Sequence, residues 1–442
     1  MFFSAPDSTL GATGVNSSVH LSERGLARLK AILEDTTSIM HYLPERYYDP
    51  VHNRDGMIVM GVAENQLMTE DFNNYIKQHF ALEKDHFRYR EFLRCTNLTL
   101  QRGFVTNTDQ ALPLYINDTF SPLEPVTSEN SVVGPGVGTL ITEFFWQICD
   151  VGELALVTAL NAVEIPPEVD PLSPEVVSYL EQRIKEEKQK PIRALILCNP
   201  HNPLGRVYPK ETIIAYAKLA EKYDLHLLVD EIYGNQVYSS KVVPHPPPFV
   251  SILSLNLKEL AGCNPARVHV VAGPPKDFGA SGLRIGIFVS QNPALIKLLQ
   301  ASMMGNAISN STDAIFTTAL MDREWRNNFL AENKKRVGEA YDRVHAWCTK
   351  FGIPILESYA GQFAVLDLTE RLNQLFPHMS ALEQRTAAIK DMAKANVLMW
   401  HTGKDQVPTR FRMVFVCEPE ILTLALRRLE NAFQLKSVNG EN

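Results

Sequence analysis

The sequence predicts an α/β protein: a mostly parallel central sheet with helices on both faces, joined to a smaller α+β part. Three observations carry this. Between about 173 and 289, short apolar runs alternate with segments of helical period, the rhythm of strands buried on both faces. Beyond about 320 the rhythm changes to long amphipathic helices separated by isolated strands. Three of the apolar runs also stop abruptly at polar residues, at the strand ends where open α/β sheets bind ligands.

The size and composition allow this architecture. The chain has 442 residues, 45% hydrophobic and 21% charged, enough to build two units with separate cores. A net charge of −7, with Lys and Arg scattered, leaves no basic footprint for nucleic acid or an anionic membrane, so small-molecule chemistry is expected. The six cysteines are far apart, without a CxxC pair, and several lie in apolar runs where a free thiol packs as a small hydrophobe. The first residues lack a basic region followed by a long apolar stretch, and no run of about 18 apolar residues occurs. A cytoplasmic protein is expected.

The elements follow in order. Residues 1–70 are expected to form an N-terminal arm and part of the smaller domain, 71–320 the large domain, and 321–442 the C-terminal small domain. Ser173-Pro174-Glu175 reads as an N-cap with proline at the first helical position, and Val177, Leu180 and Ile184 recur at helical spacing. The run Leu195-Ile196-Leu197-Cys198 is a buried strand that delivers the turn-rich Asn199-Pro200-His201-Asn202-Pro203-Leu204-Gly205. A helix over about 210–223 leads to a strand over 225–229 that stops at Asp230-Glu231-Ile232-Tyr233, and a strand over 268–272 stops just before Lys276. Further on come a helix around 332–350, a strand over 363–368, a helix near 382–395, a strand over 410–416 and a closing helix from Glu420.

Lys276 lies in a glycine-rich turn, Gly273 to Gly286, between two strands. Such a turn lets backbone approach a phosphate, and a lysine there can form a Schiff base if its pKa is lowered. Arg284 could fork onto phosphate oxygens. Taken alone, the turn fits an ordinary surface loop equally well. Asp230 ends an apolar strand, where an unpaired carboxylate is costly to bury, so it needs a cationic or hydrogen-bonding partner or a capping role. A protonated pyridine nitrogen would be such a partner, with Tyr233 and Asn202 as donors to a phenolic oxygen on the same ring. Arg412, in Arg410-Phe411-Arg412-Met413-Val414-Phe415, sits on a strand alternating cationic and apolar residues; it reads either as a clamp on a carboxylate or as a solvated edge arginine.

Taken together, Asn202-Pro203-Leu204-Gly205, Asp230-Glu231-Ile232-Tyr233, Lys276-Asp277-Phe278-Gly279 with Gly282-Leu283-Arg284-Ile285-Gly286, and Phe411-Arg412-Met413-Val414-Phe415 occur in the order seen in fold-type I enzymes dependent on pyridoxal 5'-phosphate (PLP). Upstream, Tyr48-Asp49-Pro50 and Met60-Gly61-Val62-Ala63-Glu64-Asn65-Gln66-Leu67 resemble the N-terminal signature of 1-aminocyclopropane-1-carboxylate (ACC) synthases. The resemblance spans nearly the whole chain and implies the PLP-transferase fold type I of the aminotransferase superfamily. It implies Lys276 as the aldimine lysine and proton shuttle, Asp230 as partner of the pyridine nitrogen, and Tyr233 and Asn202 as ligands of the phenolic oxygen. Arg284 matches a phosphate ligand, Arg412 the clamp on the substrate carboxylate, and Glu64 a glutamate near the substrate's side chain. Gly134-Pro135-Gly136-Val137-Gly138 resembles the phosphate loop at a helix N-terminus, with Gly136 and Val137 as cofactor contacts. A homodimer with the cofactor near the subunit interface is implied as well.

Three departures stand out. Gly273 and Pro275 replace residues that usually carry hydroxyls near the phosphate. The ring-stacking aromatic expected after 154–158 has no match, and the tyrosine-glycine pair expected from the partner subunit is not clear around 98–104. The Lys276 turn is more similar to the ACC synthase-like proteins of fungal secondary metabolism than to plant ACC synthases. The expected function is therefore an aminotransferase or C-S lyase acting at the α-carbon of an amino acid or amino-acid-derived metabolite. The alternatives are ACC-type γ-elimination with ring closure, or a degenerate dimeric homologue that serves as a binding subunit.

Overall fold

The computed structural model describes residues 47–87, 107–150, 154–157, 165–166, 168–402 and 407–437. Among the described residues eleven strands follow one another: β1 (Ile58–Val59), β2 (Ser131–Gly134), β3 (Leu154–Val157), β4 (Ile192–Cys198), β5 (His226–Asp230), β6 (Val268–Ala272), β7 (Gly286–Ser290), β8 (Phe363–Asp367), β9 (Val397–Leu398), β10 (Trp400–His401) and β11 (Arg410–Val414). They form a six-stranded sheet in the order β2-β7-β6-β5-β4-β3, a three-stranded sheet β10-β11-β8, and the pair β1-β9. In the large sheet β3 to β6 pair in parallel, whereas β7 runs antiparallel to both β6 and β2. The expected α/β class with a mostly parallel sheet is what the chain adopts.

Strand alternation explains why both faces are covered. Leu227 and Val229, Val270 and Ala272, and Ile287 and Val289 enter one core, together with the helices Asn107–Phe120, Lys210–Lys222 and Asn310–Met321. Their neighbours Leu228, Val271 and Phe288 point the other way, onto Leu140 and Phe144 of the helix Val137–Ile148 and Leu295 and Leu299 of the helix Pro293–Met303. A third core lies around the small sheet, where Ala364, Leu366, Phe411 and Met413 pack on the helices Ala381–Lys394 and Pro419–Ala432.

Two helix starts differ from the sequence reading. The helix beginning near 173 starts at Val176, with Glu175 at the N-cap, because Ser173 to Glu175 are wound into turns by the bonds Val176 N to Ser173 O and Val177 N to Pro174 O. The Ser173 hydroxyl turns inward without a hydrogen-bond partner and does not cap. The helix expected from about 332 begins at Arg323, where the Asp322 side chain accepts from Trp325 N. Its first half adds Phe329 and Leu330 to the large core and its second half adds Val337, Tyr341 and Val344 to the small one. This single helix therefore spans both.

The N-terminal segment joins the sheets directly above the strand ends. Met60 N donates to Leu398 O, Val414 N donates to Met60 O, both at 2.7 Å, and Gln66 N donates to Val416 O at 2.8 Å. Residues 60–66 are thereby fixed between the small sheet and the ends of β5 and β6. Among the described residues no helix is long and apolar enough to cross a membrane, and no cluster of His, Cys, Asp and Glu is arranged to hold a metal ion.

Candidate active site

β5 ends at Asp230, paired in register with Cys198 of β4 and Val271 of β6. Asp230 is half-buried between two neighbouring strands and the loops above them, and this desolvation pushes its carboxyl up to about 6 from 3.8. The Ile232 N–H, donating to Oδ1 at 3.1 Å, and the nearby Lys276 amine both oppose that shift. No arginine or lysine bonds to Asp230 among the described residues, so a half-buried acid stands at a strand end without a cation bonded to it.

Lys276 closes a short 3-10 turn, Pro274–Lys276, in the connection between β6 and β7. Its Nζ donates to the Ala63 carbonyl, and its own carbonyl accepts from Gln362 Nε2 at 2.8 Å. Burial lowers the amine's pKa, and the positive charges of Arg284 and Arg412 lower it further, while Glu64 and Asp230 act in the opposite sense. A lysine shifted in this direction supplies free amine more readily than one on the surface. The next residue, Asp277, is buried and accepts from Tyr115 Oη at 2.5 Å and Gln236 Nε2 at 3.0 Å, which pins the turn from below.

Gly136, at φ +93°, caps the helix Val137–Ile148 without a side-chain cap. A Cβ at this position would sit 2.7 Å from Arg284 Nη2, so only glycine lets the guanidinium lie against the helix start. Gly286 is equally constrained, since a Cβ there would lie 2.8 Å from Val137 N. The result is a cationic group beside uncapped N–H groups at a helix N-terminus, a cradle for an anion. Arg284 itself has φ +50° and is exposed. Position 273, where a hydroxyl was missed in the sequence, has little room for one: a Cβ would lie 3.1 Å from Gly286 Cα.

Tyr233 is buried, 4% exposed, with its ring edge-on to Phe363 at 5.2 Å and its hydroxyl's pKa pushed up by burial. Asn202 stands exposed in the loop after β4, where its Oδ1 accepts from Arg412 Nη1 at 2.8 Å. Arg412 Nη2 donates to the Gly61 carbonyl. Glu64 is exposed and faces Lys276 closely enough to influence its charge.

All nine residues singled out in the sequence are therefore brought to one place. Lys276, Asp230, Arg284, Arg412 and Glu64 share one electrostatic neighbourhood; Asn202 bonds Arg412, Tyr233 lies beside Phe363, and Gly136 and Val137 adjoin Arg284 and Gly286. Sequence reasoning missed Gln362, Phe363 and Trp400, and it missed the Gly61 and Ala63 carbonyls, whose residues lie in the 60–67 signature that drew attention only to Glu64. The segments where a stacking aromatic and a tyrosine-glycine pair were sought, 158–164 and 98–104, lie outside the described residues.

The observed groups fit PLP. A half-buried carboxylate lacking a bonded cation suits a pyridinium, the cradle at Gly136 suits a phosphate, and a lysine of lowered pKa stands near both. Fold and site together define a fold-type I PLP enzyme. Residues 176–429 match the family described as Aminotransferase class I and II. The chain is 28% identical over 435 residues to the probable aminotransferase aclI of Aspergillus oryzae, covering 93% of this chain and 97% of that one. It is 26% identical over 415 residues to a 1-aminocyclopropane-1-carboxylate synthase of Nicotiana tabacum, covering 89% and 82%. In fold it is similar to a PLP-bound C-S lyase from Staphylococcus hominis, with a TM-score of 0.65, 17% identity and coverage of 86% and 89%. The chain belongs to the class I and II aminotransferase family, and is a PLP-dependent enzyme acting on an amino acid or amino-acid-derived metabolite.

Proposed function

We propose that the chain is an aminotransferase or C-S lyase in which Lys276 holds the cofactor and moves the substrate's α-proton. The observation that carries this reading is the Lys276 amine, its pKa lowered by burial, with Asp230 and Arg284 both close enough to shift its charge. Asp230 would pair the pyridine nitrogen, Tyr233 and Asn202 would donate to the phenolic oxygen, and Arg284 with the N–H groups after Gly136 would hold the phosphate. Bound PLP supplies an electron sink for negative charge at the substrate's α-carbon.

The chain's own groups do the rest. Arg412 takes the substrate carboxylate, which orients the α-hydrogen toward Lys276. The Lys276 amine removes that proton and holds it until it is returned to a carbon or passed to a leaving group. Glu64, on the open side of Lys276, faces the substrate's side chain and favours one that carries a proton donor or a positive charge. Asp230, half-buried, stays fixed against the ring throughout. The relative aclI supports the aminotransferase outcome, and the ACC synthase relative keeps ring closure as the alternative.

Family members are typically dimeric, and we place the chain as a cytoplasmic homodimer. The five described cysteines, all free thiols, support a reducing compartment. Purified protein should show a visible cofactor band that Lys276→Ala abolishes. With amino acids and cysteine conjugates as substrates, keto acid formed only with an amino acceptor marks the aminotransferase, and pyruvate with free thiol marks the lyase. A protein that takes up no PLP at saturating concentration would end this reading.

A further inference from the structure

The three-stranded sheet places Trp400 of β10 directly opposite Arg412 of β11, and Arg412 opposite Val365 of β8. Phe363 is two residues from Val365 on the same face, a diagonal neighbour of Arg412. The guanidinium accordingly lies over both rings, 5.5 Å from the Trp400 ring and 5.4 Å from the Phe363 ring. Its ends are fixed by Asn202 Oδ1 and the Gly61 carbonyl, while Nε is buried and has no partner. Gly61 lies flat on the indole: a Cβ there would come within 2.1 Å of Trp400 Cδ1. The indole N–H is also buried and bonds nothing.

We propose that Trp400 is a positioning residue that makes Arg412 selective for a carboxylate. The inference rests on the proposed role of Arg412. With aromatic faces on both sides, the guanidinium can meet a ligand only along its edge, where its N–H groups lie in one plane. A planar carboxylate matches that edge with paired hydrogen bonds, and a ligand without one gains nothing from it. The second consequence concerns the segment 61–63. Because Gly61 rests on the indole and Ala63 accepts from Lys276, the same ring fixes the distance between the carboxylate clamp and the amine. The indole N–H takes no part in this, so the ring face and not the donor is the working feature.

The test uses two probes that differ only in the carboxylate, 2-aminoisobutyrate and isopropylamine, neither of which offers both an α-proton and a carboxylate for turnover. Binding is read from the absorbance of the cofactor-loaded protein. Trp400→Leu should weaken 2-aminoisobutyrate about tenfold, the scale of one lost cation–π contact plus the disorder it allows, and leave isopropylamine unchanged. Trp400→Phe should bind both probes as the wild type does. Equal weakening of both probes in Trp400→Leu, unchanged binding of the acid, or failure of Trp400→Phe alongside Trp400→Leu would each overturn the proposal. Arg412→Gln separates the two levels: if it leaves the wild-type preference for the acid intact, the role given to Arg412 fails before that of Trp400 is reached.

Discussion

At position 230 the large sheet ends in a carboxylate that burial raises to about 6, and Asp277 beside the lysine is raised to about 6 and Glu231 to about 8 by the same cause. The sign of the consequence follows from linkage. A folded-state pKa above the unfolded one means the folded chain binds the proton more tightly, so the associated stability is full below about 4 and is lost as pH rises through about 6. Without cofactor, the melting temperature should decline between about pH 4 and pH 8, and Asp230→Asn should remove its own share of the fall up to about 6, leaving that of Asp277. Cofactor binding runs the other way, because a pyridinium needs the charged form of Asp230. PLP affinity should hold steady above about pH 6 and fall about tenfold per unit below it, as measured by titrating the chain at each pH. In Asp230→Asn the affinity should be weaker throughout and flat across that range. Asp230 was legible in the sequence because a carboxylate at the end of an apolar strand demands a partner, whereas Lys276 and Arg412 each read equally as ordinary surface residues until the motifs were taken together. Their supports were not legible: Ala63 lies 213 positions before the lysine it serves, and no local pattern announces a backbone carbonyl as an acceptor.

Among the elements, the helix Val137–Ile148 shows what a turn can and cannot reveal. Its glycine loop resembles a phosphate site in the sequence, and what the sequence does not show is Arg284, which arrives from the β6–β7 connection and lies where a Cβ at 136 would be. Gly136→Ala should therefore act twice, by strain at φ +93° and by displacing the guanidinium. The expected loss is about tenfold in PLP affinity, the worth of one charge-assisted hydrogen bond, with binding of pyridoxal, which has no phosphate, unchanged. A matching loss for both compounds would place the phosphate elsewhere. The inner strands of the large sheet at 225–229 and 268–272 were read to within a residue because burial on both faces leaves continuous apolar runs, whereas the short strands β1, β2, β9 and β10 leave no such run and were not read. Nor was the start at Arg323, since its first turns are amphipathic toward a different core from the rest of the helix and the periodicity does not carry across the change.

At the scale of the whole molecule, Lys276, Asp230, Tyr233, Asn202, Arg284 and Gly136 all come from strand ends and loops of the six-stranded sheet, while Arg412 alone comes from the three-stranded one. The two sheets share no strand; they are joined by the helix Arg323–Phe351, the segment around Met60, the bonds from Tyr359 N and Ala360 N to Gly205 O, the bond from Gln362 to the Lys276 carbonyl and the bond from Arg412 to Asn202. Cofactor and substrate should then act on different parts of the protein. PLP binding should protect backbone amides at the ends of β5 and β6 from hydrogen exchange and leave β8 and β11 as they were. A carboxylate ligand added to the loaded protein touches both sheets through one molecule, so protection should extend to β8 and β11, and Arg412→Gln should confine it to the large sheet again. Protection of the small sheet by PLP alone would mean that the two are coupled through contacts already in place, the bond from Gln362 to the Lys276 carbonyl among them, and that the arginine is a passenger on a junction already closed.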